Sequence, residues 1–226
     1  MKKKLDNLTL LIPAKNEPES LPLVLKELKK YKIKKVIVLQ KDDKDTIKAI
    51  KDKKSKIIFQ KKNGYGSALN EGILSVKTKY FCIFNADGAF NPKYLKKMLL
   101  IINKKNDFVF NSRYEKNAGS DDDTFLTFIG NQFFTFICNM LFNLNISDVL
   151  FTYVMGSTKA FKSLKINSKD FSFCVELPIK AKFKKYKFTN LPTHERARIA
   201  GKKKVNEFKD GFLILISIIR LFIFRK

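Results

Sequence analysis

The strongest constraint on this chain is an alternation running through residues 8–110: short apolar runs separated by stretches with apolar residues at helical spacing. Residues 8–12, 36–39, 57–59, 80–84 and 107–110 read as strands. Ser20 is placed to cap a helix with Leu21, Val24, Leu25 and Leu28 on one face. Ser67 opens a second helix, with Leu69, Gly72, Ile73 and Val76 together. Asn91-Pro92 opens a third, followed by Leu95, Met98, Leu99 and Ile102. Strands alternating with helices predict an α/β fold with a mostly parallel central sheet flanked by helices. Such sheets bind ligands beyond the carboxyl ends of their strands. The loops beginning at Pro13, Gln40, Gln60 and Asn85 are therefore the places to look for chemistry.

The second half has a different character. Residues 124–142 carry no formal charge, but Gly130, Asn131, Gln132, Asn139 and three threonines argue against a simple membrane span, and an amphipathic or buried helix is expected. Residues 205–222 place Val205, Phe208, Phe212, Leu215, Ile219 and Phe222 on one helical stripe. The apolar run is broken by Arg220 and Arg225-Lys226 before it reaches spanning length, which suits a helix lying in a membrane interface or docking on protein. The expected organisation is one domain over residues 1–204 and a C-terminal amphipathic helix over 205–226, which could also join two copies of the chain.

Lys and Arg number 46 against 21 Asp and Glu, a net charge of +25. That excess concentrates anions, whether nucleotides, nucleic acid or acidic lipid heads. Basic and aromatic residues are not interleaved as in the known nucleic-acid-binding modules, so no nucleic-acid partner is expected. Cys82, Cys138 and Cys174 lie far apart in apolar surroundings, which suits reduced thiols in a core better than a disulfide or zinc framework. The basic start, Met1 to Asp6, leads into no apolar core, so no secretory signal is expected.

Four segments can carry chemistry. In 10-LLIPAKNE-17, Pro13 ends a strand, and Asn16 and Glu17 offer hydrogen-bond partners to a nucleoside or cap the next helix. In 63-NGYGSALNEG-72, Gly64 and Gly66 allow close backbone approach at a helix start whose free amides suit an anion. In 85-NADG-88, Asp87 follows the strand over 80–84, two residues after Asn85. That pair can hold a hard divalent cation or simply form a turn. In 194-HERARIAGKKK-204, Arg196, Arg198, Lys202 and Lys204 can clamp phosphate oxygens or remain an exposed basic loop. His194 is the sole histidine, which rules out a multi-histidine metal site, and it reads as a loop residue.

In order and spacing these segments resemble family 2 glycosyltransferases of the GT-A fold, and within them the dolichol- and polyprenyl-phosphate mannosyltransferase group. The resemblance rests on "LLIPAKNEPESLPLVL", "NGYGSALNEGI", "FNADGAFNPKYL", "NSRY", "SDVLFTYVMGSTKAF" and "ERARIAGKKKVNEFKDGF", and runs from about Leu8 to Leu221. The usual metal motif is Asp-x-Asp, often with Gln two residues on. Here Asn85, a neutral and weaker ligand, stands first and Ala89 last. Gln40 stands where the second strand usually ends in Asp, and Lys203 replaces a Ser.

The resemblance implies an inverting transfer of a hexose from a GDP- or UDP-sugar to a polyprenyl phosphate, on the cytoplasmic face of a membrane. Pro13, Ala14, Asn16, Glu17, Gln40, Gly64, Gly66 and Ala86 would then hold the donor, and Asp87 with Asn85 would hold Mg²⁺ or Mn²⁺ on its diphosphate. Arg113, Arg196, Arg198, Lys202 and Lys204 would grip the two anionic substrates, and Asp148 would make a further polar contact in the acceptor half. Two other readings stay open: a family 2 transferase acting on a glycan or protein, and a non-catalytic nucleotide-sugar binder.

Overall fold

The computed structural model describes residues 5–52, 54–201 and 203–224. Its strands are β1 (Leu8–Pro13), β2 (Lys34–Leu39), β3 (Lys56–Phe59), β4 (Tyr80–Ile83), β5 (Phe108–Ser112), β6 (Gly119–Ser120), β7 (Val154–Ser157), β8 (Phe188–Pro192) and β9 (His194–Glu195). Seven form one sheet in the order β3-β2-β1-β4-β7-β5-β8, and β6 pairs with β9 in a separate ribbon. The pairs β1–β2, β1–β4, β2–β3 and β5–β8 are parallel, while β7 runs antiparallel between β4 and β5.

The helices are α1 (Ser20–Leu28), α2 (Lys44–Ala49), α3 (Tyr65–Leu74), α4 (Leu95–Ile102), α5 (Phe125–Phe142), α6 (Thr158–Leu164), α7 (Phe173–Phe183) and α8 (Glu207–Ile223). Helices cover both faces of the sheet, so β1 is buried on both sides and apolar apart from Thr9. Leu8, Leu10 and Ile12 join a core with Leu21, Val24 and Leu28 of α1. Leu11 points the other way, into a core with Ala68, Leu69 and Ile73 of α3. The expected mostly parallel α/β architecture is the one found.

Helix starts differ in detail from the sequence reading. Glu19 occupies the cap position of α1, and Ser20 is its first helical residue, donating from Oγ to Glu17 Oε2 at 2.5 Å. Helix α3 begins at Tyr65, before Ser67. Asn91 caps as expected, accepting from Lys93 N at 3.0 Å, and Pro92 opens a short 3₁₀ turn that runs into α4.

Helix α5 is turned inside out. Its buried residues are Asn131, Thr135, Cys138 and Phe142. Phe125, Leu126, Phe128, Ile129, Phe133, Phe136 and Met140 are exposed. The polar residues explain the orientation, because the protein satisfies each of them. Asn131 Nδ2 donates to Tyr114 OH at 2.7 Å, Thr135 Oγ1 accepts from Val149 N at 3.1 Å, and Asn139 exchanges two hydrogen bonds with the Ile146 backbone. The helix has 18 residues and a mean hydropathy of 1.4, and among the described residues it alone is long and apolar enough to cross a membrane by length and composition. Helix α8 packs against α5 and α7. It buries Asp210, Ile214 and Ile218 and exposes Phe208, Phe212, Ile216, Ile219 and Ile223. Phe142 of α5 meets Phe222 of α8 edge-on at 6.0 Å. Two adjacent helices thus present apolar sides to the outside, a feature that marks a contact surface.

Candidate active site

Beyond the carboxyl ends of β1, β2, β3 and β4 lies a cleft of about 620 Å³. Pro13, Ala14, Glu17, Gln40, Gly64, Asn85, Ala86, Asp87, Arg113, Arg198 and Lys204 all line it, so the structure gathers most of the expected site into one cavity. Its other walls come from α5 (Thr127, Asn131), the segment before β7 (Leu150, Phe151, Thr152) and the start of α8 (Asn206, Lys209, Asp210).

The loop after β1 is held from below. Ala14 N donates to Val38 O at 2.9 Å, and Glu17 N to Thr46 Oγ1 at 2.8 Å. Asn16 takes a left-handed backbone (φ 52°) and its amide donates to Asp43 Oδ2 at 2.6 Å. Asp43 also caps α2 through Thr46 N. Asn16 thus anchors the turn of this loop through its backbone, its side chain is exposed beside the cleft lining, and its carbonyl accepts from Lys204 Nζ at 3.4 Å. Asn residues tolerate this conformation better than most.

The aspartate turn follows β4. Asp87 Oδ1 accepts from Ala89 N at 3.0 Å, an Asx turn that fixes the carboxylate. Above it, Ile199 N donates to Asp87 O at 2.7 Å and Arg196 N to Ala89 O at 2.9 Å, so residues 196–199 are stitched onto the turn. Gly88 is required on two counts: its φ is +86°, and a Cβ there would lie 2.4 Å from Ile199 Cδ1. Burial pushes the Asp87 carboxyl above its ordinary value; Arg198 opposes that shift, and Glu17 and Asp122 add to it. A carboxylate crowded by two others favours a cation.

The described residues contain no group of three or more ligating side chains able to enclose a metal. The donor set at Asp87 and Asn85 suits a divalent ion that takes its remaining ligands from phosphate oxygens and water, the habit of Mg²⁺.

Four of the expected anion grips are already engaged with carboxylates. Arg113 donates from Nε and Nη2 to Asp148 at 2.7 and 3.0 Å, and from Nη1 to Glu195 at 3.3 Å, with Asp123 at 3.6 Å. Burial opposes the guanidinium charge, but Asp148 and Glu195 hold it protonated. With three carboxylates around it, Arg113 forms part of the cleft wall and is no free anion receptor. Asp148 is 0% exposed and lies outside the cleft lining, so it positions Arg113 and does not reach a substrate. Arg196 turns away to Glu27, at 3.0 and 3.1 Å, and to Phe90 O at 2.8 Å, which removes it from the site.

Arg198 and Lys204 do line the cleft, each on a carboxylate: Asp122 at 2.5 Å and Glu17 Oε1 at 3.2 Å. Lys202 lies outside the described residues. The glycine segment also has another purpose. A Cβ on Gly64 would meet Lys169 O at 2.1 Å, and one on Gly66 would meet the carbonyls of Asp170 and Ser168 at 2.6 Å. Ser67 N donates to Lys169 O at 3.2 Å. The start of α3 is thus packed against the 168–170 backbone, and Gly66 serves that packing in place of phosphate approach.

Sequence reasoning missed the acidic side of the site. Asp121, Asp122 and Asp123 pair in turn with His194, Arg198 and Arg113. Glu195 accepts from Ser120 Oγ at 2.6 Å, and burial raises its carboxyl, with Arg113 and Ser120 opposing. The run of three aspartates was visible as a signal, but the partners of Asp121 and Asp122 lie more than 70 residues away.

A mostly parallel sheet with an acidic turn at the end of β4, roofed by a basic segment from the far end of the chain, defines the GT-A class of nucleotide-sugar transferase folds. The Glycosyl transferase family 2 profile matches residues 9–165, and the chain belongs to that family of glycosyltransferases. An uncharacterized glycosyltransferase of Mycobacterium tuberculosis is 24% identical over 212 residues, 93% of this chain and 95% of the relative. A dolichyl-phosphate hexose transferase of Haloferax volcanii is 23% identical over 222 residues, 96% and 94% of the two chains. The fold is similar to that of glucosyl-3-phosphoglycerate synthase from M. tuberculosis, solved with Mn²⁺, UDP and glucosyl-3-phosphoglycerate. That match has a TM-score of 0.73 at 12% identity, over 97% of this chain and 81% of the other. Mannosyl-3-phosphoglycerate synthase from Rubrobacter xylanophilus matches with a TM-score of 0.66 at 12% identity, covering 96% and 73%.

Proposed function

We propose that this protein transfers a hexose from a nucleotide diphosphate sugar to a polyprenyl phosphate, with inversion, while resting on the cytoplasmic face of a membrane. The observation that carries the reading is the inside-out helix α5. It exposes an apolar side with that of α8, and the same two helices supply Thr127, Asn131, Lys209 and Asp210 to the cleft that contains Asp87. An acceptor with an anionic head and a long apolar tail matches such a site; a fully water-soluble acceptor leaves the apolar sides unexplained. The named activity of the Haloferax relative supports this reading. The three buried free thiols suit a reduced compartment.

On the donor side, Pro13, Ala14, Gln40 and Gly64 line the part of the cleft that would receive the nucleoside. Arg198 and Lys204 are the diphosphate grips, and in the free protein Asp122 and Glu17 occupy them. Donor binding therefore exchanges each carboxylate for a phosphate oxygen, which keeps the cations paired at every stage. Asp87, with Asn85, would hold Mg²⁺ or Mn²⁺, and the ion when bound supplies neutralisation of the leaving diphosphate. The reaction forms a bond from an acceptor phosphate oxygen to the anomeric carbon and breaks the bond from that carbon to the diphosphate. The acceptor is already ionised at neutral pH, so no proton has to move and no general base is needed. Catalysis is then positioning plus charge neutralisation.

The test is incubation with labelled GDP- and UDP-sugars and vesicles containing polyprenyl phosphate, followed by extraction into organic solvent. Label in the organic phase, lost in Asp87→Ala, is the expected result. Label that stays in the aqueous phase, with phosphoglycerate as acceptor, overturns the lipid assignment, since the structural neighbours were solved with phosphoglyceric acid.

A further inference from the structure

The cations of the cleft are not equivalent. Arg113, Arg198, Lys203 and Lys204 each lie within 4.0 Å of a carboxylate: Asp148, Asp122, Glu207 and Glu17 respectively. Among the described residues, Lys15 and Lys209 line the same cleft with no carboxylate in that range. The two belong to different parts of the site. Lys15 follows Pro13 and Ala14 in the loop after β1, on the donor side. Lys209 belongs to the first turn of α8, next to Phe208, which is 83% exposed, and one turn before the exposed Phe212.

We propose that Lys209 is the seat of the acceptor's phosphate. The inference rests on the lipid-phosphate reading above and names the residue that makes the site selective for a lipid monophosphate. Three observations support it. Lys209 carries an uncommitted charge, so binding a phosphate there requires no carboxylate to be displaced, unlike at Arg198 or Lys204. Its backbone is fixed: Lys209 N donates to Asn206 Oδ1 at 3.0 Å, and Asp210 Oδ2 accepts from Asn206 N at 2.8 Å. The neighbouring exposed phenylalanines continue into the apolar sides of α8 and α5, where a polyprenyl chain can lie while its head enters the cleft. A lysine on a flexible stem suits a phosphate monoester as a point charge. Arg113, one of the five cations the sequence offered as anion grips, is saturated by Asp148, Glu195 and Asp123.

The experiment compares the full-length protein with Lys209→Ala and Lys209→Arg, using polyprenyl monophosphate or the parent polyprenol in neutral vesicles. In Lys209→Ala the KM for the lipid phosphate is expected to rise at least ten-fold, with kcat and the donor KM within two-fold of wild type; Lys209→Arg should recover most of the loss. Vesicle sedimentation without donor should show a preference for phosphate over alcohol in wild type and none in Lys209→Ala. A merely structural role would move neither the KM split nor the preference. Unchanged acceptor KM and unchanged preference in Lys209→Ala overturn the assignment while leaving the lipid acceptor intact. Wild type with no transfer to either lipid and no preference between vesicles overturns the underlying reading as well. Inorganic phosphate that competes as well as the lipid phosphate overturns the lipid part of the seat.

Discussion

Replacing Phe208 and Phe212 by serine tests whether the apolar sides of α8 and α5 meet a lipid surface. The two rings are 83% and 64% exposed, so little of either contributes to the folded core. Full burial of a phenylalanine side chain contributes about 1.5–3 kcal/mol, and scaling by the exposed fractions gives about 3 kcal/mol for the pair on entering a membrane interface. At about 1.4 kcal/mol per factor of ten, vesicle partitioning should fall roughly a hundred-fold. The assay is sedimentation of neutral vesicles over a range of lipid concentrations. A net charge of +25 offers a competing explanation for any membrane affinity. Repeating the assay at about 1 M salt, where the screening length is about 3 Å, separates the two. Wild type should still bind there and the double variant should not. Melting temperatures should agree within about 2 °C, because exposed positions contribute little to stability. A fall of under three-fold with the fold intact would refute the membrane role, as would binding by wild type that disappears at high salt.

Asp148→Asn leaves the buried guanidinium of Arg113 on Glu195 and Asp123 alone, at 3.3 and 3.6 Å. Breaking one member of a buried pair costs about 3–5 kcal/mol, and the two remaining carboxylates put this case at the low end. At about 2–4 °C per kcal/mol the thermal midpoint should drop by roughly 6–12 °C; a drop below 2 °C contradicts the positioning role. Asp87 and Glu195 both have carboxyls raised by burial. In that case the folded state binds more protons than the unfolded chain above the ordinary carboxylate range, so stability falls as pH rises from about 4 through the raised values. Asp87→Asn should therefore melt higher than wild type at pH 7 without metal, show a flatter dependence on pH, and transfer no sugar. A lower melting temperature at pH 7 goes against the crowded-carboxylate account.

Much of the fold was legible because it depends on local pattern. The apolar runs of β1, β2 and β4 and the faces of α1 and α4 were readable as written, since a sheet covered on both sides needs continuous apolar strands. The candidate site was legible as positions, since the carboxyl ends of parallel strands converge whatever the side chains. The division of labour among those side chains was not. Arg113 and Arg196 look identical to Arg198 in a sequence, yet their partners come from 35 and 169 residues away.

The glycines show the same limit. Gly64 and Gly66 are needed for close approach, but what approaches is the backbone of residues 168–170. Helix α5 reverses the usual rule, burying Asn131 and Thr135 and exposing phenylalanines, because Tyr114 and Val149 satisfy its polar groups from within. Local pattern by itself determined the layered sheet and the acidic turn after β4, and the motif segments carried the resemblance to the family. Only the tertiary structure decided which cations are spent on carboxylates, which remain for substrate, and which side of α5 faces outward. The reason is physical: backbone form follows from neighbours along the chain, whereas the state of a charge or a helix face depends on groups that folding brings to it from far away.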